Sequence, residues 1–275
     1  MLIGCHVSIS GGIQNAPKNA SDLGCEVMQI FTRPPQGGPA PELTEKIIQQ
    51  FKILNTKYQI QNTYIHTPYY INFASANNRI RYGSVKVIRE ELERGNLIGA
   101  KYVMTHLGST KDLGEEEGIK KTIEMLTKSL DGYSGSTQLL IENSAGAGEI
   151  IGDDLKEIAG IIKGVNNLII AGICLDTQHS FASGYDWNDF RKTLKKVDQE
   201  IGLNLIKLIH CNDSQTEMGS HKDRHEHIGQ GKIGLDTFKN IIRFAKEKNI
   251  DMLCETEWPG MEKDIEILKK LRDNK

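Results

Sequence analysis

Residues 138–176 read QLLIENSAGAGEIIGDDLKEIAGIIKGVNNLIIAGICLD, and their pattern decides the fold. Two near-continuous apolar runs, 138–143 and 169–176, flank DDLKEIAGIIKGV (153–165), where apolar residues recur at three- and four-residue spacing. A run apolar at every position suits a parallel strand covered on both faces, and the segment between suits a helix with one buried stripe. The unit is strand, helix, strand.

The same unit repeats outward in both directions. Further strand-like runs lie at 2–7, 27–31, 63–67, 102–107, 205–210 and 251–256. Helical patterns lie between and after them at 42–58, 83–99, 118–130, 186–202, 236–248 and 261–273. Asp153, Asp186 and Asp236 are expected N-caps for three of these helices. No Pro- or Ser-rich linker divides the chain, so residues 1–275 are expected to form one (β/α)8 barrel, a TIM barrel. An open doubly wound sheet is the alternative. It would gather its ligand groups at one switch point, whereas here they close six or seven different strands.

Composition excludes several classes. The chain has 275 residues, 25% of them charged, 38% of them hydrophobic, and a net charge of −2. There is no overall basic footprint, so any contact with nucleic acid must be local or carried by bound cations. No signal peptide and no membrane-spanning run is evident, and no C-x-x-C pair occurs among Cys5, Cys25, Cys174, Cys211 and Cys254. A reducing cytoplasm is the expected compartment, with nucleoid association if the source is bacterial or archaeal. Cys211 and Cys254 are expected to face the outer helices and Cys174 the barrel interior.

Nine metal-ligand side chains stand where these runs stop or in the loops beyond: His66, His106, Glu142, Asp176, His179, His210, Asp223, His225 and Glu255. In a barrel these ends converge on one mouth, at the C-terminal face. Each histidine alone could be an ordinary packed residue. Together with buried carboxylates they require cations, because an unpaired buried carboxylate is costly. One divalent ion needs three or four protein ligands, so nine suffice for two or three ions sharing a bridging carboxylate. Three divalent ions against four carboxylates leave a formal charge of about +2, enough to attract a phosphate. Imidazole mixed with carboxylate suits zinc first and manganese or iron second, and Mg²⁺ least. His6 could orient a ligand from behind. His227 follows His225 on the same side of its loop, and His221 reads as a solvated loop residue.

GCHVSISGGIQNA (4–16), CLDTQHSFASGYD (174–186), HCNDS (210–214) and DRHEHIGQGKIG (223–234) together resemble the endonuclease IV family of apurinic/apyrimidinic endonucleases. HTPYYIN (66–72), IENSAGAG (141–148) and CETEW (254–258) follow the same order. The resemblance implies a trinuclear zinc cluster: His66, His106 and Glu142 at one ion; Glu142 as a bridge with Asp176, His210 and Glu255 at a second; His179, Asp223 and His225 at the third. It implies a hydrolase of the deoxyribonuclease IV type, acting in base excision repair as a monomer on double-stranded DNA with abasic sites. Such an enzyme cuts the phosphodiester 5′ to the site and leaves a 3′-hydroxyl and a 5′-deoxyribose phosphate. Glu142 and Glu255 are the expected catalytic carboxylates; Arg33, Tyr69, Tyr70 and Arg224 are the expected DNA contacts. The chain departs from the resemblance in FTRPPQGGPAP (31–41), which keeps Arg33 and Gln36 but has glycine or proline where a tryptophan is usual. A xylose-isomerase-like sugar isomerase or epimerase with one metal is the alternative. Glu142, Asp176, His210 and Glu255 alone would satisfy it.

Overall fold

A computed structural model describes residues 1–273. Eight parallel strands close into a barrel: β1 (Ile3–His6), β2 (Val27–Ile30), β3 (Asn62–His66), β4 (Tyr102–Thr105), β5 (Gln138–Glu142), β6 (Ile170–Asp176), β7 (Ile206–His210) and β10 (Asp251–Cys254). Around the ring the order is β1-β10-β7-β6-β5-β4-β3-β2, so each strand neighbours its predecessor in the barrel. The short pair β8 (Asp213–Ser214) and β9 (His225–Glu226) forms an antiparallel hairpin above the mouth. Helices α1 (Ala16–Asp22), α2 (Glu45–Lys57), α3 (Asn78–Ile98), α4 (Glu115–Leu130), α5 (Leu155–Val165), α6 (Thr177–Ala182), α7 (Phe190–Glu200), α8 (Leu235–Lys248) and α9 (Met261–Asp273) complete the chain. No helix among the described residues is long and apolar enough to cross a membrane.

The seven sequence-predicted helices are present. The short α1 and α6 and the β8–β9 hairpin carry too few apolar residues to show a period. The predicted caps need correction. Asp154, not Asp153, caps α5 by accepting from Lys156 N; Asp186 caps a 3-10 turn, and Asp189 caps α7. Gly234 occupies the N-cap of α8, leaving Asp236 in its first turn.

Strand pleating sorts the interior into layers, since side chains two apart share a face. Val27, Tyr64, Met104, Leu140, Cys174, Leu208 and Leu253 form one buried apolar layer inside the barrel. Gly4 holds the eighth stave of that layer, and the close β1–β2 approach explains why it has no side chain. A Cβ there would lie 1.8 Å from the Val27 carbonyl oxygen. Beneath the layer, the Asp251 carboxylate accepts from Leu2 N (2.7 Å), Asn62 Nδ2 (2.9 Å) and Tyr64 Oη (2.6 Å) and closes the floor. Outside, a larger core packs the strands against the helices and takes in Cys5, Cys25, Cys211 and Cys254, while Cys174 lies within, as expected.

Gly4→Ala should therefore destabilise the barrel by about 1–3 kcal/mol, the usual range for overpacking a close-fitted site. The obstacle is a backbone carbonyl that no rotamer change moves, so a denaturant midpoint equal to the parent's would refute this account of the layer.

Candidate metal centre

Two residues beyond the apolar layer, every stave presents a polar side chain at the mouth: His6, Gln29, His66, His106, Glu142, Asp176, His210 and Glu255. The pleat dictates this ring once the layer below is fixed. His106 and Glu255 stand one residue past the ends of β4 and β10, still in phase. Asp176 ends β6 and also starts α6, its Oδ1 accepting from His179 N at 2.7 Å. That cap places His179 over the ring. The β8–β9 hairpin brings Asp223 and His225 in from above.

Donor atoms close enough for metal binding fall into three groups: His66, His106 and Glu142; Glu142, Asp176, His210 and Glu255; and Asp176, His179 and His225. Asp223 joins the last group, with Oδ1 at 3.4 Å from both His179 Nε2 and His225 Nε2. All nine sequence-predicted ligands thus meet at one place. Glu142 belongs to two groups, as expected, and so does Asp176, whose sharing the sequence reading did not anticipate. Each group pairs histidine nitrogens with carboxylate oxygens and has no thiolate, a donor set suited to a zinc-like divalent ion.

The histidines are oriented for that use. His66 Nδ1–H donates to the Thr67 carbonyl (2.6 Å), His179 Nδ1–H to that of Asn143 (3.0 Å), and His225 Nδ1–H to that of Glu255 (3.2 Å). Each then turns its Nε2 inward, the atom on which a metal would replace a proton. His210 is reversed. Its Nε2–H donates to Gln29 Oε1 (2.7 Å), leaving Nδ1 to face Glu142 at 2.8 Å and Glu255 at 3.0 Å. An outer acceptor that fixes the tautomer is the common support for a metal-binding histidine. His106 is the exception, its buried Nδ1 having no partner.

Charge balance within the cluster is tight. Burial alone would raise the Glu142 carboxyl, but the charge of His210 and His106 and hydrogen bonds from His210 and His66 hold it well below the usual range. Burial likewise opposes charge on His179, yet Asp176, Asp223 and Glu142 lift it to about 10. For Asp223, burial is outweighed by the hydrogen bond and charge of His179 and by the charge of His225, which bring it down to about 2. The protons that neutralise these carboxylates are the ones a bound cation would displace. His6, desolvated and only partly compensated by Glu255, falls to about 4 and is neutral at pH 7.

Several functional residues escaped the sequence reading. Gln29 donates through Nε2 to Glu255 (2.5 Å) and to His6 Nδ1 (3.0 Å) while holding His210. Asn212 donates to Asp176 Oδ2 (2.7 Å) and accepts from Glu255 N (2.8 Å). Asn143 Oδ1 accepts from Asp176 N at 2.7 Å. The buried Asp213 carboxylate collects Gly229 N, Gly231 N and Ile233 N at 2.9–3.1 Å, wrapping the GQGKIG turn around itself and fixing the hairpin that carries His225. A Cβ on Gly231 would come within 2.5 Å of Asp213 Oδ1, which explains that glycine. Asn143, Asn212 and Asp213 lie in quoted motifs, and Gln29 lies in the strand-like run 27–31. The available signal was that a polar residue two positions past an apolar layer shares the mouth.

The expected DNA contacts separate. Tyr69 and Arg224 line the mouth, a cavity of about 720 Å³. Tyr69 is 68% exposed, its ring 5.4 Å from that of Phe31 and its N–H bonded to the Pro35 carbonyl at 3.2 Å. Tyr70 instead lines a side cavity between the 33–41 loop and α3. Arg33 corrects the sequence reading. It is 4% exposed, its guanidinium engaged by Glu91 and by Glu90 at 2.9 Å, so it anchors the loop to α3 and is not free for a phosphate. His221 is exposed in its loop, as expected, and His227 pairs with Asp264 at 2.7 Å away from the cluster.

The family model described as xylose isomerase-like TIM barrel matches residues 17–271. A probable endonuclease 4 of Halothermothrix orenii is 37% identical over 276 residues, covering 99% of both chains. The chain belongs to the endonuclease IV family. The crystal structure of endonuclease IV from Thermus thermophilus superposes with a TM-score of 0.87 at 28% identity, covering 98% of each chain. A D-tagatose 3-epimerase-like protein superposes with a TM-score of 0.76 at 21% identity, covering 98% of this chain and 97% of its own, and shows the fold alone. The endonuclease IV relatives match this chain from end to end, whereas the likeness to the epimerase-like protein is one of architecture.

Replacing Gln29 by Ala should weaken metal retention roughly 10- to 100-fold, the scale for losing an outer partner of a ligand. Competition with a graded chelator measures this directly. Retention equal to the parent's would show that His210 and Glu255 hold their orientation without it.

Proposed function

We propose that this protein is a metal-dependent DNA-repair hydrolase that cleaves the phosphodiester 5′ to an abasic site, giving 3′-hydroxyl and 5′-deoxyribose phosphate ends. The observation that carries the reading is the convergence of three donor groups through shared Glu142 and Asp176. A one-metal sugar isomerase would need only Glu142, Asp176, His210 and Glu255, leaving His66, His106, His179, Asp223 and His225 without purpose. The names of the relatives, probable endonuclease 4 and endonuclease IV, support the same reading.

In this reading the site holds three zinc-like ions, with manganese or iron able to substitute. Ions held there would supply a water of lowered pKa as nucleophile and positive charge for the phosphate oxygens. His66 and His106 would hold one ion with Glu142; Asp176, His210 and Glu255 a second, with Glu142 shared; His179, Asp223 and His225 the third. Glu142, fully buried and common to two of the groups, would set their spacing. Gln29 and Asn212 keep Glu255 and Asp176 pointed inward, and neutral His6 adds no competing charge. Arg224 and Tyr69 face the incoming strand at the rim. An abasic nucleotide can leave the duplex cheaply to reach a recessed mouth, because it has no base to unstack. A chain with net charge −2 then needs no basic surface overall.

Elemental analysis of gently purified protein should approach three equivalents, and Glu142→Ala should abolish cleavage of an abasic-analogue duplex while the circular dichroism spectrum is retained. Saturation at one equivalent, or a Glu142→Ala rate within about tenfold of the parent, a barrier change of only ~1.4 kcal/mol, would sink the trinuclear reading.

Tyr69→Ala should weaken binding to abasic duplex by about 1–3 kcal/mol, the range for loss of a stacking platform. Metal content should stay constant. Titration of labelled duplex checks the first point and elemental analysis the second.

A further inference from the structure

The chain carries two tryptophans in opposite settings. Trp187 is 2% exposed, with Nε1–H donating to Ser180 Oγ at 2.8 Å. Trp258 is 66% exposed, on the segment that joins the end of β10 to α9. Its sequence neighbours Glu255, Thr256, Glu257 and Met261 all line the mouth cavity. A lone exposed aromatic needs no explanation by itself. This one stands on a segment whose neighbouring residues line a candidate active site.

Both feet of the segment are fixed. Thr256 Oγ1 donates to the buried Asp264 at 2.6 Å, and the same carboxylate accepts from Ile228 N at 2.9 Å and pairs with His227 at 2.7 Å. At the other end Gly260 packs so closely on the His227 ring that a Cβ would lie 2.6 Å from it. Trp258 therefore stands on a short span clamped at Thr256 and Gly260, an arrangement that limits the entropy lost when a partner stacks on it. Around the barrel, β10 and β3 are separated only by β1 and β2. Tyr69, after β3, lines the mouth from one end of that arc, and the segment carrying Trp258, after β10, lines it from the other. Between them the 33–41 loop has no aromatic residue. Glu257 beside the indole disfavours a phosphate there and favours an uncharged partner.

Building on the proposed function, we propose that Trp258 is a lesion-reading residue, whose indole stacks on a nucleobase flanking the abasic gap while Tyr69 holds the opposite side. Aromatic platforms of this kind bind bases without regard to sequence.

The test uses the full-length metal-loaded protein with a duplex containing one tetrahydrofuran abasic analogue and with the matching intact duplex. Because Trp187 is buried, binding should quench the emission of Trp258 with the abasic duplex more than with the intact one. Trp258→Ala should weaken abasic-duplex binding roughly tenfold, shrink the preference over intact duplex and abolish the quench. Trp258→Phe should restore most of the affinity. If the parent cleaves the abasic duplex but Trp258→Ala binds it with the parent's affinity and preference, the assignment of Trp258 is overturned and the proposed function stands. If the parent neither binds nor cleaves the abasic duplex, the proposed function fails and takes this assignment with it.

Discussion

The strands can satisfy the barrel interior only by placing an apolar side chain there, and the pleat then commits the residue two positions later to the mouth. Leu140 and Glu142, Cys174 and Asp176, Leu208 and His210, and Leu253 and Glu255 are such pairs on adjacent staves. The layer is sealed from below by Asp251 and its partners. Its upper surface is therefore a dry floor under the polar ring, and charges above it meet a low dielectric on one side. Interactions among those charges are strong in both directions: a matched set is held firmly, and an unmatched carboxylate is expensive. Glu142, fully buried and facing histidines on several sides, is where that constraint is most acute.

Residues behind the ring convert this demand into geometry. Gln29 is an amide with one acceptor and one donor group, and it uses both, taking the Nε2–H of His210 and giving to Glu255 and His6. A histidine in its place could not serve all three in one protonation state. Asp213 performs the same task for the hairpin, since the two oxygens of a carboxylate offer enough acceptor sites for several converging backbone N–H groups. The GQGKIG turn thus binds an anion that belongs to the protein, and the precision gained appears at His225 and Asp223.

The barrel was legible because its strands are apolar at nearly every position and its helices have a clear stripe, as in residues 138–176. The nine candidate ligands were legible because histidine and buried carboxylate are uncommon at strand ends and here recur at most of them. What escaped were residues whose chemistry is ordinary and whose placement is not. Gln29, Asn143 and Asn212 are common side chains until the ring places them beside ligands. Arg33 misled for the complementary reason. A loop arginine near a mouth suggests a phosphate contact, but Glu90 and Glu91 on α3 lie far along the chain and draw it inward. The misplaced caps at Asp153 and Asp236 are shifts of one or two residues: the adjacent Asp154 offers the same hydrogen bond, and at α8 Gly234, at positive φ, starts the helix with no side-chain cap.

The barrel order also shows how the donor set is built outward from one arc of the ring. Glu142, Asp176, His210 and Glu255 occupy β5, β6, β7 and the end of β10, four consecutive staves. His66 and His106 extend the same arc to β3 and β4 without changing the floor beneath, because each again lies two residues past an apolar layer position, Tyr64 and Met104. The remaining ligands come from outside the ring: His179 from the first turn of α6 and Asp223 and His225 from the hairpin over the mouth. Those additions cap the cleft from above and concentrate donors on one side, leaving the β1–β2 side of the mouth with neutral His6, Phe31 and the proline-rich 33–41 loop. The mouth thereby acquires one face rich in imidazole and carboxylate donors and an opposite face that is largely uncharged. A substrate that presents a phosphate on one side and stacked bases on the other fits this division, whereas a small sugar would use only the first.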